Sequence, residues 1–212
     1  MNEVFQQIGN IGIVPVVVLK NVMDAEPLAN ALLEGGLPCA EITFRTDVAA
    51  ECIDIISNKY PEMLVGAGTV LTIEQADSAI AAGAQYIVSP GLNPVLVNHC
   101  IQKGYPICPG IMTPSELDLA TNFGLDAVKF FPAELNGGVK MIKAISAPYQ
   151  NVKFMPTGGI NADNVEEYLL CDKVFACGGS WMVKSDLITS GHFSEIERLT
   201  REAVNIIKDV RG

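Results

Sequence analysis

The sequence contains few histidines and few basic residues. Its two histidines, His99 and His192, do not lie among cysteines or carboxylates at zinc-site spacing, so no metal site is predicted. Its 14 lysines and arginines are scattered and outnumbered by 24 acidic residues, which gives a formal net charge of −10. A basic face for nucleic acid or an anionic membrane is therefore excluded, although a small anionic ligand needs only a few local donors.

Long hydrophobic runs, a signal peptide and paired cysteines are also missing. The longest apolar runs, such as residues 13–19, are too short to cross a bilayer. The six cysteines form no C-x-x-C pair and lie mostly in apolar runs, which predicts buried thiols in a reducing cytoplasm. Because 49% of the residues are apolar and only 18% are charged, disorder is excluded as well. We expect one cytoplasmic domain that spans residues 1–212.

Short β-rich segments alternate with helix-length segments along the whole chain. The strand segments are residues 13–19, 39–44, 64–68, 86–89, 107–108, 127–131, 152–155 and 174–177. The helical segments between them are residues 25–34, 48–59, 73–82, 94–103, 114–123, 139–145 and 162–170. Strand signals that recur about every 20–26 residues are typical of a (β/α)8 TIM barrel. The alternative, an open doubly wound sheet, has less support because no G-x-G-x-x-G turn follows the first strand.

Two smaller patterns refine this prediction. Val4, Phe5 and Ile8 indicate an amphipathic N-terminal helix that closes the bottom of the barrel. Thr113 and Glu116, with a proline between them, predict a capping box at the start of a helix.

The second strand segment ends in polar residues, at the rim where a barrel holds its active site. Period-2 alternation puts Glu41, Thr43 and Arg45 on one face and Ile42 and Phe44 on the other. The apolar pair is expected to face the helices, so that a carboxylate, a hydroxyl and a guanidinium point into the barrel. Two interpretations stay open: a functional cluster, or an ion pair at the rim that only satisfies itself.

A lysine interrupts the apolar and aromatic sixth strand segment. Lysine is rarely buried without a reason, and desolvation at Lys129 favours the neutral amine, which is a nucleophile toward carbonyl groups. The alternative is a lysine whose stem packs while its ammonium group reaches water. Lys20 and Lys153 compete for the role, but Lys20 only follows its strand segment, and Lys153 lies about 13 Å below the rim. We therefore favour Lys129.

Two glycine pairs follow the last two strand segments, in Thr157-Gly158-Gly159 and in Gly178-Gly179-Ser180. The loops after strands seven and eight form the standard phosphate site of such barrels, where glycines let backbone N–H groups approach the anion. No basic residue stands beside either pair, so we predict a phosphate held by backbone amides and the Ser180 hydroxyl. Thr69 and Pro90 end two other strand segments and are weaker candidates, because turn chemistry explains such residues equally well.

These motifs together resemble those of the 2-keto-3-deoxy-6-phosphogluconate (KDPG) aldolase family, which includes bifunctional members that also act on 4-hydroxy-2-oxoglutarate (KHG). The matching segments are PVVVL at 15–19, EITFRT at 41–46, GAGTVL at 66–71, SPGL at 89–92, PGIMTPSE at 109–116, KFFPAE at 129–134, PTGGI at 156–160 and GGSWM at 178–182. The resemblance covers nearly the whole chain, and KFFPAE together with EITFRT is its most specific part.

The resemblance implies a trimeric, metal-independent class I aldolase that needs no cofactor. It assigns the Schiff-base lysine to Lys129 and the acid/base carboxylate to Glu41. The substrate pocket that it implies includes Arg45, Thr69, Pro90, Phe131, Gly158, Gly159 and Ser180. The implied substrate is a 2-keto-3-deoxy sugar acid phosphate that is cleaved to pyruvate and glyceraldehyde 3-phosphate, while KHG and the galactonate epimer stay open as further substrates.

Two other functions stay open from the residues alone. A phosphate-binding isomerase or epimerase would use Glu41 as a base without an imine at Lys129. A non-catalytic barrel would bind a sugar phosphate or serve in an assembly, but it would not need Glu41, Arg45 and Lys129 together. Because no histidine cluster is present, we expect any aldol chemistry to proceed through an imine rather than a metal Lewis acid.

Overall fold

Eight parallel strands form the inner wall of the computed structural model, which describes residues 1–212. They are β1 Ile13–Val17, β2 Cys39–Thr43, β3 Leu64–Gly68, β4 Tyr86–Ser89, β5 Ile107–Ile111, β6 Ala127–Phe130, β7 Lys153–Pro156 and β8 Cys177–Gly179. Strands adjacent in sequence pair side by side, and β8 returns to pair with β1. Single bridges from Phe154 to Val174 and from Thr157 to Gly178 connect the last two strand segments, so the barrel is nearly closed. The predicted (β/α)8 barrel is confirmed.

Helices pack around the outside of these strands and alternate with them. They are α1 Glu3–Ile11, α2 Ala25–Glu34, α3 Ala49–Lys59, α4 Ile73–Ala81, α5 Pro94–Lys103, α6 Pro114–Asn122, α7 Gly138–Ser146, α8 Val165–Leu169, α9 Ser185–Thr189 and α10 Phe193–Arg211. The capping box predicted at Thr113 and Glu116 is present at the start of α6. No helix among the ten combines the length and the apolar composition that a membrane span requires.

The N-terminal helix closes the end of the barrel at which the strands begin. The Asn2 side chain caps α1 by accepting a hydrogen bond from the Val4 N–H at 2.9 Å. Phe5 and Ile8 are buried, and the Phe5 ring meets the ring of Tyr86 edge-on, with 6.3 Å between the ring centres. Because Tyr86 is the first residue of β4, the predicted closure is confirmed, and the C-terminal strand ends form the open end of the barrel.

The fifth strand is longer than predicted. It runs to Ile111, whereas the sequence pattern predicts residues 107–108 alone. Pro109 and Gly110 are typical of turns, but Pro109 still pairs with Ser89 across the sheet. A Cβ built on Gly110 would lie 2.1 Å from the Pro90 carbonyl oxygen, so the glycine is required by a close backbone approach within the strand.

The eighth strand begins later than predicted. It covers Cys177–Gly179, whereas the apolar run predicts residues 174–177. Val174 makes only a single bridge, to Phe154, while the Cys177 N–H donates to the Gly12 carbonyl at 2.9 Å and starts the pairing with β1. The second glycine pair, Gly178 and Gly179, therefore lies inside β8 and does not follow the strand as predicted.

Candidate active site

A carboxylate and an amine meet inside the barrel. Glu41 on β2 and Lys129 on β6 are the only charged side chains among the buried residues, and Lys129 Nζ lies 3.5 Å from Glu41 Oε1. Neither carboxylate oxygen of Glu41 accepts a hydrogen bond from the protein. A buried charge is costly without a partner, so the two groups stabilise each other.

The strand beside β2 makes room for this carboxylate. A Cβ built on Gly68 of β3 would lie 2.1 Å from Glu41 Oε1, and one built on Gly66 would lie 2.1 Å from the Tyr86 ring. Neither glycine has a left-handed φ, so space and not backbone conformation requires glycine at both positions.

Two buried residues near this pair, Tyr86 and Cys108, have raised pKa values. Burial raises the pKa of Tyr86 well above its ordinary value, and the nearby Cys39 and Glu41 raise it further. Burial also raises the pKa of the Cys108 thiol, although the neighbouring Lys129 opposes part of that shift. The phenol and the thiol therefore keep their protons at neutral pH.

The other polar residues of the second strand segment have different partners. Thr43 is buried, and its hydroxyl donates to a backbone carbonyl of β1 at 2.8 Å. Arg45 lies beyond the end of β2 and is exposed, and its Nε donates to the Thr69 hydroxyl at 3.3 Å. The interpretation as an ion pair that satisfies itself at the rim is wrong, because Glu41 pairs with Lys129 and not with Arg45.

A cavity of about 370 Å³ opens at the C-terminal end of the barrel. The predicted binding residues that line it are Arg45, Phe131, Thr157, Gly158, Gly159, Gly178, Gly179 and Ser180. The Phe131 ring connects this cavity to the buried amine, because Lys129 Nζ lies 5.2 Å from the centre of the ring.

The loops after β7 and β8 offer backbone donors to this cavity. The N–H groups of Gly158, Gly159, Ile160 and Ser180 donate to no acceptor in the protein. Gly158 and Gly159 have φ values of +98° and +83°, a left-handed conformation that glycine adopts without strain. A row of free N–H groups in a concave site suits an anion with several acceptor oxygens.

Comparison with known proteins agrees with this arrangement. Residues 4–199 match the family model described as KDPG and KHG aldolase. The chain belongs to that family. A 2-dehydro-3-deoxy-phosphogluconate aldolase of Treponema pallidum is 50% identical over 207 residues, which cover 98% of this chain and 99% of the relative.

Solved aldolase structures of this family share the fold. The KDPG aldolase of Legionella pneumophila, with pyruvate captured as a covalent carbinolamine intermediate, has a TM-score of 0.90 and 41% identity, covering 94% of this chain and 97% of that one. The KDPG aldolase of Zymomonas mobilis with 3-phosphoglycerate has a TM-score of 0.88 and 35% identity, covering 95% of each chain. The predicted family resemblance is confirmed.

One cation at the site of this aldolase is not predicted by the sequence pattern. Lys184 lines the cavity, so the expectation of a site without a nearby basic residue is wrong. After β8 the chain turns back, with the Val183 N–H donating to the Ser180 carbonyl at 3.1 Å, and the turn returns Lys184 to the rim. Only the turn brings this side chain to the site, which is why spacing alone gave no signal.

Two predicted pocket residues of the aldolase lie outside the cavity wall. Thr69 is joined to the wall by its hydrogen bond from Arg45. Pro90 lines a neighbouring cavity of about 410 Å³, and its carbonyl oxygen lies against Gly110, the residue that pairs with Lys129. Pro90 therefore lies one strand away from the buried amine.

The competing lysines occupy positions that the barrel keeps away from Glu41. Lys20 is exposed. Lys153 is the first residue of β7, and its Nζ donates to the Asp172 carbonyl at 2.6 Å, at the end closed by α1. Of the three lysines considered, Lys129 is the buried one.

Proposed function

We propose that this protein is a class I aldolase that cleaves KDPG to pyruvate and glyceraldehyde 3-phosphate. The observation that carries the proposal is the buried contact between Lys129 and Glu41, 3.5 Å apart, inside a barrel of the KDPG and KHG aldolase family. The Treponema relative, which is named for this activity, matches 98% of the chain.

Lys129 forms the covalent bond to the substrate. Its neutral amine attacks the C2 keto carbon, and the carbinolamine loses water to give an iminium, which then accepts electrons from the breaking bond. The pyruvate carbinolamine captured in the Legionella aldolase supports this step. The Phe131 ring, 5.2 Å from Nζ, shields the amine from water.

Glu41 moves the protons of the reaction. It removes the C4 hydroxyl proton, directly or through a water molecule, and the C3–C4 bond breaks as its electrons pass into an enamine. The aldehyde product leaves, and the proton returns to C3 of the enamine. Water then hydrolyses the pyruvate iminium and restores the Lys129 amine. Apart from Lys129, with which it forms an ion pair, Glu41 has no protein donor on its carboxylate oxygens, which suits a group that must accept and return a proton.

The two ends of the substrate contact different donors. The phosphate binds the free N–H groups of the loops after β7 and β8, which are the two glycine loops. Lys184 adds a positive charge to the cavity wall. Thr69 and Arg45, which hydrogen-bond to each other, bind the substrate carboxylate. The 3-phosphoglycerate in the Zymomonas aldolase is a ligand of the same phosphate-bearing class.

KHG is proposed as a second substrate, with pyruvate and glyoxylate as its products. The matching family model covers both activities. KHG has the keto acid that Lys129 attacks and lacks the phosphate, so it does not use the glycine loops. The two substrates therefore separate the contribution of the phosphate site from that of the catalytic pair.

Release of pyruvate tests this function. The purified protein should convert KDPG to equal amounts of pyruvate and glyceraldehyde 3-phosphate, with pyruvate followed by lactate dehydrogenase and NADH. The rate should persist in excess EDTA, because the iminium and not a metal ion takes up the electrons. An isomerase or epimerase would alter the sugar phosphate without releasing pyruvate, and that result would contradict the proposal.

A homotrimer, as the resemblance implies, and a location in the cytoplasm, as the buried thiols predict, complete the proposal. Leu71, Val95 and Met112 expose 54%, 66% and 41% of their surface, and exposed apolar groups that lie together mark interfaces. Leu71 and Val95 line one shallow cavity. All six cysteines are free and buried, which fits a reducing compartment. Light scattering should give the mass of three chains, and Val95→Asp should lower it; a monomeric wild type would contradict the trimer.

A further inference from the structure

The segment that follows β6 holds the loop after β7 from one side. This loop, which contains Thr157, Gly158 and Gly159, is called the glycine loop below. The carbonyl oxygens of Thr157 and Gly158 accept hydrogen bonds from the N–H groups of Ala133 and Glu134, at 2.8 Å and 3.1 Å. The Gly159 carbonyl accepts a side-chain amide hydrogen bond from further along the chain at 3.0 Å. With three successive carbonyl groups held in this way, the N–H groups of the loop remain available to the cavity.

The Glu134 side chain covers the same loop. A Cβ built on Gly159 would lie 2.5 Å from Glu134 Cγ, so the stem of the glutamate packs directly on the glycine. The Glu134 carboxylate accepts a hydrogen bond from the hydroxyl of Tyr168 on α8. Both groups lie over Gly138 at the start of α7, where a built Cβ would be 2.9 Å from the hydroxyl oxygen and 3.3 Å from Glu134 Oε1.

Tyr168 is a fixed partner for this carboxylate. Its side chain is only 1% exposed, so it has little freedom to leave the contact. Burial and the hydrogen bond to Glu134 raise the pKa of its hydroxyl, which therefore keeps the proton that it donates. The pair joins the segment after β6, the start of α7 and the helix that follows the glycine loop.

We propose that the Glu134–Tyr168 pair positions the glycine loop and thereby sets the affinity of the site for phosphate-bearing substrates. This inference rests on the proposed function, because it requires the loop to be the phosphate site. Neither residue lines the cavity, so both act through the loop rather than on the substrate. The Glu134 stem holds Gly159 in place. Tyr168 keeps the carboxylate over the first residue of α7, where the partial positive charge of the helix N-terminus offsets its negative charge and so reduces its repulsion of the bound anion.

Tyr168→Phe tests the pair because it removes only the hydroxyl group. The released carboxylate can then turn toward the anion or let the loop shift, and both changes weaken phosphate binding. The KM for KDPG and the inhibition constant of inorganic phosphate should rise about tenfold, as expected for loss of a hydrogen bond to a charged group, while kcat and KM for KHG stay within about twofold.

The chain offers a matched control for this substitution. The Tyr149 hydroxyl also donates to a carboxylate, that of Asp118, but this pair does not touch the cavity. Tyr149→Phe should therefore change neither substrate's kinetics. Glu134→Gln keeps the stem and an acceptor for Tyr168, so it should stay near wild type. In a Glu134→Ala background, Tyr168→Phe should have little further effect, because the two residues act as one unit.

Several outcomes would overturn the inference. They are wild-type phosphate inhibition in Tyr168→Phe, equal losses with KDPG and KHG, and a wild type that does not bind inorganic phosphate. Calorimetric titration with phosphate needs no turnover, so it separates this inference from the proposed reaction. A protein whose phosphate affinity depends on Tyr168, but which does not cleave KDPG, would refute the reaction and leave the positioning role standing.

Discussion

A side chain on Gly68 and the carboxylate of Glu41 exclude each other, because a Cβ built on Gly68 lies 2.1 Å from Glu41 Oε1. Glycine inside a strand costs stability, and the left-handed conformations that often explain it are absent here. The position of the Glu41 carboxylate, 3.5 Å from Lys129 Nζ, therefore depends on a missing methyl group in the neighbouring strand.

Gly68→Ala should displace the carboxylate and slow the proton-transfer steps. We expect kcat for KDPG to fall about 10- to 100-fold, because displacing a reacting group by about 1 Å can slow a reaction on the order of 10²-fold. The yield of the pyruvate adduct trapped by borohydride should change much less, because Lys129 is untouched. Gly9→Ala is the control, since its Cβ would have no neighbour closer than 3.7 Å.

A shorter acid distinguishes displacement of Glu41 from general damage to the strand. Glu41→Asp withdraws the carboxylate from Gly68, so Gly68→Ala should cost much less in the Glu41→Asp protein than in the wild type. If Gly68→Ala lowers kcat by the same factor in both proteins, the glycine acts on the fold and not on the carboxylate.

Glu41→Gln should remove the proton-transfer group and preserve the shape of the site. We expect cleavage of KDPG to fall roughly 10²- to 10⁴-fold, the usual contribution of general acid–base catalysis. Imine formation with pyruvate should remain measurable by borohydride trapping. Cleavage at the wild-type rate would rule out this role for Glu41.

Ser180→Asp should place a negative charge where the substrate phosphate is proposed to bind. Like-charge repulsion should raise the KM for KDPG strongly and the KM for KHG much less. Ser78→Asp, on the exposed side of α4, adds the same charge away from the cavity and should change neither. Equal effects of Ser180→Asp on both substrates would mean that the phosphate binds elsewhere.

Phe5→Ala should destabilise the fold from the end opposite the active site. Phe5 is 3% exposed and packs edge-on against Tyr86, so we expect the free energy of unfolding to fall by about 3–5 kcal/mol in urea titrations. Leu170→Ala, at a position that is 66% exposed, should change it little. Loss of stability no larger than that of Leu170→Ala would contradict the role of α1 in closing the barrel.

The barrel could be predicted from the sequence because each strand and helix carries its own period of apolar residues. The bounds of some strands and helices could not be predicted, because they depend on local hydrogen bonds and close backbone contacts. Pro109 and Gly110 are typical of a turn, yet they lie in β5 because the neighbouring backbone approaches them closely. α8 begins at Val165 and not at 162, because the Asn161 and Asn164 side chains accept hydrogen bonds from nearby N–H groups and hold the preceding residues in turns.

The buried ion pair of Glu41 and Lys129 could be predicted because strand position places both residues. Glu41 and Lys129 are polar residues in apolar strands, and barrel topology brings such residues to one interior. Contacts made by loops leave no comparable pattern in the sequence. Glu134 and Tyr168 are 34 positions apart, and only the packing of α8 on the segment after β6 brings them together.

The proposed mechanism depends on a covalent intermediate at Lys129. Incubation with pyruvate and borohydride, followed by peptide mapping, identifies the lysine that forms it. We expect one three-carbon adduct per chain, on Lys129, and no adduct or KDPG cleavage in a folded Lys129→Ala protein. Lys20→Ala and Lys153→Ala should keep the adduct, because Lys20 is exposed and Lys153 hydrogen-bonds at the closed end of the barrel. An adduct on Lys153, or robust cleavage by Lys129→Ala, would contradict the mechanism.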